Sequence, residues 1–300
     1  MPIRINTLEE LASQDGPLHL ALGVFDGIHV GHQVVIDRAV SAAREQGGRA
    51  FVVTFSPHPI RVIAPGKAPK SLLATLDEKA EVVKALGVDG LLVICFDAEF
   101  AKMTAEAFVS KLTAGNIATV SVGEDWRFGS KRLGDVEMLR QAGKVHGFNL
   151  EAVPPVMWDG ERISSTRIRQ AIRDGNFSAA ESMLGRPYEV TGKVIEGRRL
   201  GRQIGFPTAN LSLGDLQIPQ DGVWAVTVDG KMKGIANLGM RPTVGGSEKL
   251  LEVHLFDFSG DLYGKTIRVR FDRYIRAEQK FASVDDLKQQ IGRDVISARS

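Results

Sequence analysis

Between residues 18 and 153 the chain alternates short apolar runs with segments of helical period, and that alternation leaves few folds open. The runs "LHLALGV", "RAFVVTF", "LLVICF" and "ATVSV" have the length and β-branched content of buried strands. Between them, "VVIDRAVSAAREQ" repeats Val35, Ala39, Ala42 and Ala43 along one face. "TLDEKAEVVKALG" opens with Thr75 and Glu78 at capping-box spacing and closes at Gly87. Both predict helices. Strand and helix in regular succession predict a parallel sheet covered on both faces, an α/β unit. Ligands bind such sheets beyond the carboxyl ends of the strands, where the strand order reverses.

From about Tyr188 to Tyr274 the pattern becomes Gly-punctuated and β-rich, with "EVTGKVI", "VWAVTVDGKMKGIANL", "LLEVHLFDF" and "TIRVRF" as strands. Asp229-Gly230 between alternating runs predicts a hairpin. "SVDDLKQQIGRDVISA", with Ser283 and Asp286 at capping spacing, predicts a closing helix. The expected organisation is an α/β domain over residues 1–185, then an antiparallel β-barrel with a C-terminal helix over 186–300. No internal repeat or low-complexity tract is visible.

Composition sets the classes aside that such a chain need not serve. With 38 basic and 36 acidic residues the net charge is +2, so no global field draws it to nucleic acid or a membrane, while local basic clusters leave phosphate-sized partners open. Cys95 stands alone inside "LLVICF", which excludes a disulfide framework or cysteine metal site and predicts a core thiol. That suits a reducing cytoplasm. "MPIRINTLEELASQDGP" lacks a signal-peptide apolar stretch and no run approaches the ~20 residues of a membrane helix, so a cytoplasmic location is expected. Nothing in the sequence fixes an oligomeric state.

Two stretches of the first domain carry phosphate chemistry. "GVFDGIHVGH" at 23–32 lies where the first of these strands ends and a helix begins, beside unpaired backbone N–H groups and the positive end of a helix dipole. Gly23, Gly27 and Gly31 permit tight turns and close backbone approach, while His29 and His32, three apart, can face one side. Phosphate binding with charge stabilisation and a plain Gly-rich turn with two incidental histidines fit this stretch about equally. "ISSTRIR" at 163–169 sets the hydroxyls of Ser164, Ser165 and Thr166 before Arg167 and Arg169, a second phosphate site or an ordinary helix cap.

In the second domain, "EGRRLGRQIGFPTANL" at 196–211 packs three glycines and three arginines beside Thr208 and Asn210. Two apart in an extended segment, Thr208 and Asn210 point to one side and offer hard oxygen ligands of the type that suits Mg²⁺ with nucleotide phosphates. A structural turn is the alternative. Glu252 in "LLEVHLFDF" has apolar neighbours, and alternation puts it on one face with His254 and Phe256. It is either a solvated strand residue or a general base.

"GVFDGIHVGH", "TFSPHP", "VGEDWRFG" and "SSTRIR", in that order, resemble the FMN adenylyltransferase module of bacterial bifunctional FAD synthetases over about residues 16–184. "LGRQIGFPTANL", "PQDGVWAV", "NLGMRPTVGG", "LEVHLFDF", "DLYGKTIRVRF" and "IRAEQKFASVDDLKQQI" are similar to the riboflavin kinase module of the same family over nearly all of 187–300. The resemblance implies a nucleotidyltransferase-type, Rossmann-like sheet domain followed by a riboflavin kinase barrel. It implies that riboflavin and ATP give FMN, and that FMN and a second ATP give FAD and pyrophosphate, with Mg²⁺ as cofactor. By the same likeness His29 and His32 hold ATP phosphates. Gly23, Phe25, Asp26, Gly27, Gly31, His58, Asp125, Ser164, Ser165, Thr166 and Arg167 then serve the nucleotide or flavin of the first domain. Gly201 and Gly205 belong to a 197–205 loop covering ATP, Thr208 and Asn210 bind Mg²⁺ and phosphate, and Glu252 takes the proton of the ribityl hydroxyl. Trp126, Trp224 and Val244 stand where the family more often has Phe, Tyr and Phe. A nucleotidyltransferase for another phosphorylated acceptor, and a flavin- or RNA-binding module, are the competing readings. The chain lacks the large basic, aromatic-interleaved stripe an RNA module needs.

Overall fold

A computed structural model describes residues 2–68, 71–196, 201, 204–243 and 246–300. The chain divides into two compact units, Met1–Ser165 and Thr166–Ser300.

The first unit is built on a parallel sheet of strands β1 (Ile3–Ile5), β2 (Leu18–Leu22), β3 (Arg49–Ser56), β4 (Gly90–Cys95), β5 (Ile117–Gly123) and β6 (Asn149–Val153). Their order across the sheet is β1-β4-β3-β2-β5-β6, and every neighbouring pair is parallel. Alternation along the strands feeds two cores. Leu20, Leu22, Phe51, Val53 and Val120 pack with helices α1 (Leu8–Ala12) and α5 (Ala105–Leu112), while Ala21, Ala50, Val52, Leu91 and Val93 meet α2 (Val30–Gln46) and α4 (Leu76–Ala85). Each fully buried Leu, Ile or Val there contributes roughly 1.5–3 kcal/mol. The capping box on α4 forms as its sequence predicts, with Thr75 Oγ1 accepting from Glu78 N–H and Glu78 accepting from Thr75 N–H.

Strand β2 lies between β3 and β5, so successive crossovers leave it in opposite directions. The reversal creates a crevice at the carboxyl ends of β2 and β5, which are followed directly by "GVFDGIHVGH" and "EDWRFG". Strands β1 and β6 were not expected. They have three and five residues and lie at the two edges of the sheet, too short for their alternation to stand out. Cys95 is exposed, contrary to the core thiol expected of it, because β4 ends at that residue and leaves the covered part of the sheet.

Beyond a short hairpin of β7 (Met157–Trp158) and β8 (Glu161–Arg162), the chain enters α7 (Ser165–Arg173) and α8 (Phe177–Leu184). The division between units falls just inside α7, because α8 packs on the barrel: the Phe177 ring meets Trp224 edge-on at 5.6 Å and stacks on Phe271 at 5.8 Å.

The barrel closes from β9 (Glu189–Ile195), β10 (Ala209–Ser212), β11 (Gly222–Val228), β12 (Met232–Thr243), β13 (Gly246–Leu255) and β14 (Thr266–Arg276), in the order β10-β13-β12-β11-β14-β9. All its pairings are antiparallel, and β9 meeting β10 removes the free edge. Asp229 and Gly230 both take positive φ, 48° and 71°, in the expected hairpin turn. The closing helix α9 (Val284–Arg299) begins at Ser283, whose hydroxyl accepts from Asp286 N–H. It is tied down by Asp294, 2% exposed, whose carboxylate receives Arg276 Nε and Nη2.

Candidate functional site

In the first unit, the turn after β2 is pinned from several sides. Gly23 N–H donates to Val53 O, and the Val24 carbonyl accepts from both Thr54 Oγ1 at 2.8 Å and Lys79 Nζ at 3.0 Å. Asp26, 4% exposed, accepts Leu73 N–H on its carboxylate, and its main-chain carbonyl accepts from Ser165 Oγ at 3.0 Å. That last bond ties "GVFDGIHVGH" to "SSTRIR". Such bracing is needed because Phe25 and Ile28 hold φ of 49° and 41°, where a non-Gly residue is strained by about 1–3 kcal/mol. Gly27, at φ 78°, has Leu73 so close that an added Cβ would sit 2.8 Å from it.

His29 caps α2, its Nδ1 accepting from His32 N–H, which leaves the ring proton on Nε2 in the neutral form. The His29 and His32 rings stack at 3.5 Å, and Phe25 meets His32 edge-on at 5.3 Å. His32 Nδ1 is a buried ring nitrogen with no hydrogen-bond partner. Burial above all, and then the charges of His29, Lys79 and Arg162, push the His32 pKa well below its ordinary value. Lys79 is itself buried on α4; burial lowers its pKa and the Asp26 carboxylate opposes that shift.

The other candidates of this unit separate by role. Asp125 forms a two-pronged ion pair with Arg162, which holds its carboxyl below the usual range by hydrogen bonding and charge. His58 caps the short helix α3 (Pro59–Ile63), Nδ1 accepting from Ile60 N–H at 3.4 Å after a cis Ser56–Pro57 bond. Trp126 stacks on Phe128 at 4.7 Å, so the unexpected indole retains an aromatic surface beside the crevice. Ser164 and Ser165 are half-buried at the start of α7, followed by the exposed Thr166 and the half-buried Arg167. The sequence reading passed over Lys79 and Arg162. Lys79 lies three residues after Leu76 and four before Val83, a spacing that already placed it on the buried face of α4.

In the second unit, a cavity of about 550 Å³ lies against the barrel wall. Register brings its polar residues into line: Asn210 faces Glu252 across β10 and β13, and Asn237 faces Glu252 across β12 and β13. Thr208, Gly201, His254, Arg276 and Glu278 also line it, and α9 contributes Leu287 and Ile291. Asn210 is 5% exposed and its Oδ1 has no hydrogen-bond partner, an orphaned acceptor of the kind a cation satisfies. An added Cβ at Gly201 would collide with Phe206 O at 2.3 Å and sit 3.4 Å from Thr208 Oγ1, so that glycine lets the loop lie close to the threonine. Much of the expected 197–205 loop and Val244 lie outside the described residues. Trp224 faces away from the cavity, into a core with Phe177, Phe271 and Tyr274. Its Nε1–H donates to Gln220 O. Among the described residues no group of three or more His, Cys, Asp or Glu is placed to hold a metal ion.

A Rossmann-like sheet with a braced turn at its switch point is followed, in the second unit, by a barrel with a polar row in a cavity. Family models agree on both halves: FAD synthetase matches residues 11–167 and riboflavin kinase matches 184–300. The chain belongs to the family of bifunctional riboflavin kinase/FMN adenylyltransferases. It is similar to the protein of that name from Escherichia coli (strain K12), 43% identical over 96% of this chain and 93% of the relative. It is similar also to that of Bacillus subtilis (strain 168), 36% identical over 92% of this chain and 89% of the relative. A solved structure described as a macrolide-efflux protein from Streptococcus pneumoniae matches with a TM-score of 0.86 and 35% identity, over 100% of this chain and 99% of that one. No described helix of the present chain is long and apolar enough to cross a membrane.

Proposed function

We propose that the chain makes FMN and ADP from riboflavin and ATP in its barrel, and FAD and pyrophosphate from FMN and a second ATP at the crevice of its sheet. Adenylyl transfer is assigned within residues 1–185 and the kinase within 186–300, an order that the two family-model matches support. The observation that carries this reading is the presence on one chain of two separate polar constellations. One is the stacked His29–His32 pair at the switch point, and the other is the Asn210–Glu252–Asn237 row in the barrel cavity.

In the adenylyl transfer, an FMN phosphate oxygen attacks the α-phosphorus of ATP and the bond to pyrophosphate breaks. Positioning and charge stabilisation carry such a reaction, and no side chain becomes covalently attached. His29 carries its ring proton on Nε2 in the neutral form, and the buried His32 beside it is kept neutral with its Nδ1 unpartnered. Ser165, whose hydroxyl donates to the Asp26 carbonyl, joins the first residues of the second phosphate motif to the turn that carries the histidines.

In the kinase, Glu252 accepts the proton of the ribityl hydroxyl as that oxygen attacks the γ-phosphorus of ATP. The orphaned Asn210 Oδ1, with Thr208 beside it in the same cavity, fits a hard cation, and these two residues would hold Mg²⁺. When bound, the ion neutralises phosphate charge and orients the phosphate chain. ATP as common substrate and the lone thiol support a cytoplasmic setting. Incubation with riboflavin, ATP and Mg²⁺, followed by separation of the flavins, tests the reading. FMN should form first and FAD later, and neither in excess EDTA; FMN alone, or no product, would overturn it.

A further inference from the structure

His254 lies two residues beyond Glu252 on β13 and lines the same cavity. The main-chain ladder between β10 and β13 begins at the Ala209–Val253 pair, so the strand departs from its partner at Thr208. Pro207, just before, has no N–H with which to extend the ladder. There the imidazole takes over: His254 Nδ1 lies 2.9 Å from Pro207 O. A carbonyl only accepts, so Nδ1 carries the proton and the tautomer is fixed. The ring is also gripped edge-on by Phe206 at 5.4 Å and Phe256 at 6.1 Å. The Pro207 carbonyl belongs to the peptide plane that ends in Thr208 N, so the bond sets the orientation at which the Thr208 side chain leaves the backbone. Phe206 N–H donates to Gly201 O, which anchors the other end of this short segment.

We propose that His254 is a positioning residue of the kinase: it holds the Pro207–Thr208 peptide so that Thr208 meets the cation and phosphates of the nucleotide. The proposal rests on the reading of Thr208 and Asn210 as the nucleotide and metal end of the cavity. His254 gives the Pro207 carbonyl a side-chain donor at the point where the ladder with β13 has ended. It acts through Thr208, so its loss should weaken nucleotide binding more than it slows the proton transfer at Glu252.

The test is calorimetric titration of ADP with Mg²⁺ into full-length chains carrying His29→Ala and His32→Ala, which suppress binding in the first unit. His254→Phe keeps a ring but removes the donor, and should raise the Mg²⁺·ADP dissociation constant about ten-fold, the factor that ~1.4 kcal/mol represents. His254→Asn places an amide donor near the position of Nδ1 and should recover most of the affinity, whereas His254→Gln, whose donor falls near Nε2, should not. In kinase assays the Phe variant should show a raised KM for ATP with kcat little altered. Thr208→Val is the internal reference. If it weakens binding while His254→Phe binds as the parent does, the positioning role is overturned and the site reading stands. If Thr208→Val and Asn210→Ala are both silent, the site reading itself fails. Equal loss in His254→Phe and His254→Asn would also overturn the proposal, because the donor would then not be what matters.

Discussion

The two candidate sites proposed to hold ATP phosphates are built by opposite means. In the first, the backbone makes the site: two non-Gly residues sit at positive φ, and Thr54, Lys79 and Ser165 brace the carbonyls of the turn. In the second, the backbone is an ordinary antiparallel ladder, and the candidate site is made by the side chains its register brings together, Asn210, Glu252 and Asn237. A strained turn needs support from residues far away in sequence, whereas a ladder needs only the right residue at each alternate position. Substitutions at supporting residues should therefore impair the first activity, and substitutions at cavity-facing strand residues the second.

The largest effect expected in the first unit comes from His29→Ala with His32→Ala. FAD formation from FMN should fall about 100- to 1,000-fold, as when donors to a developing charge are removed. FMN formation from riboflavin should hardly change, and an equal loss of both would break the contrast between the units.

Lys79→Met removes a buried donor from the Val24 carbonyl and keeps the length of the side chain. A loss of about 1–3 kcal/mol in stability is expected, measured by denaturant unfolding, with FAD formation slowed more than FMN formation. A variant equal to the parent in both would show that the turn needs no such brace.

The pH dependence sharpens the same point. His32 has a folded pKa well below its ordinary value of 6.5, so as pH falls through that value the unfolded chain takes up the proton first. The stability tied to His32 is complete above that pH and declines as pH falls toward the folded value. In an NMR titration the His32 ring should stay neutral through pH 6.5, and a normal titration midpoint would remove the buried neutral imidazole from the site.

The smallest effect is expected for Asp125→Asn. The Asp125–Arg162 pair is more than half exposed on Asp125, and pairs of that kind contribute about 0–1 kcal/mol. Unfolding should shift within that range, and a larger shift would mean that the pair braces the crevice as Lys79 braces the turn.

The sheet, the barrel and the closing helix were legible in the sequence because each rests on a local pattern: period 2 in "EVTGKVI" and "TIRVRF", and capping spacing at Thr75 and Ser283. Strands β1 and β6 were not, since three and five residues are too few for an alternation to stand out. The same division runs through the candidate sites. The motif residues stood out by type and spacing, but the contacts that fix them, Lys79 to Val24 O, Ser165 to Asp26 O and His254 to Pro207 O, join residues 55, 139 and 47 positions apart. No window of the sequence contains both partners. Trp224 shows the converse: it departs from a recognised motif, yet strand alternation turns it into the core behind the cavity.

The central claim is that the two activities use separate sites, and Glu252→Gln tests it most directly. The amide keeps the shape of the side chain and cannot accept the hydroxyl proton, and removal of a general base lowers the rate about 10²- to 10⁴-fold. Two assays on one preparation decide the matter, one started with riboflavin and one with FMN. Riboflavin should accumulate unconverted while supplied FMN still becomes FAD at near the parental rate. Near-parental phosphorylation of riboflavin, or loss of both conversions in a chain whose unfolding curve matches the parent, would contradict the claim.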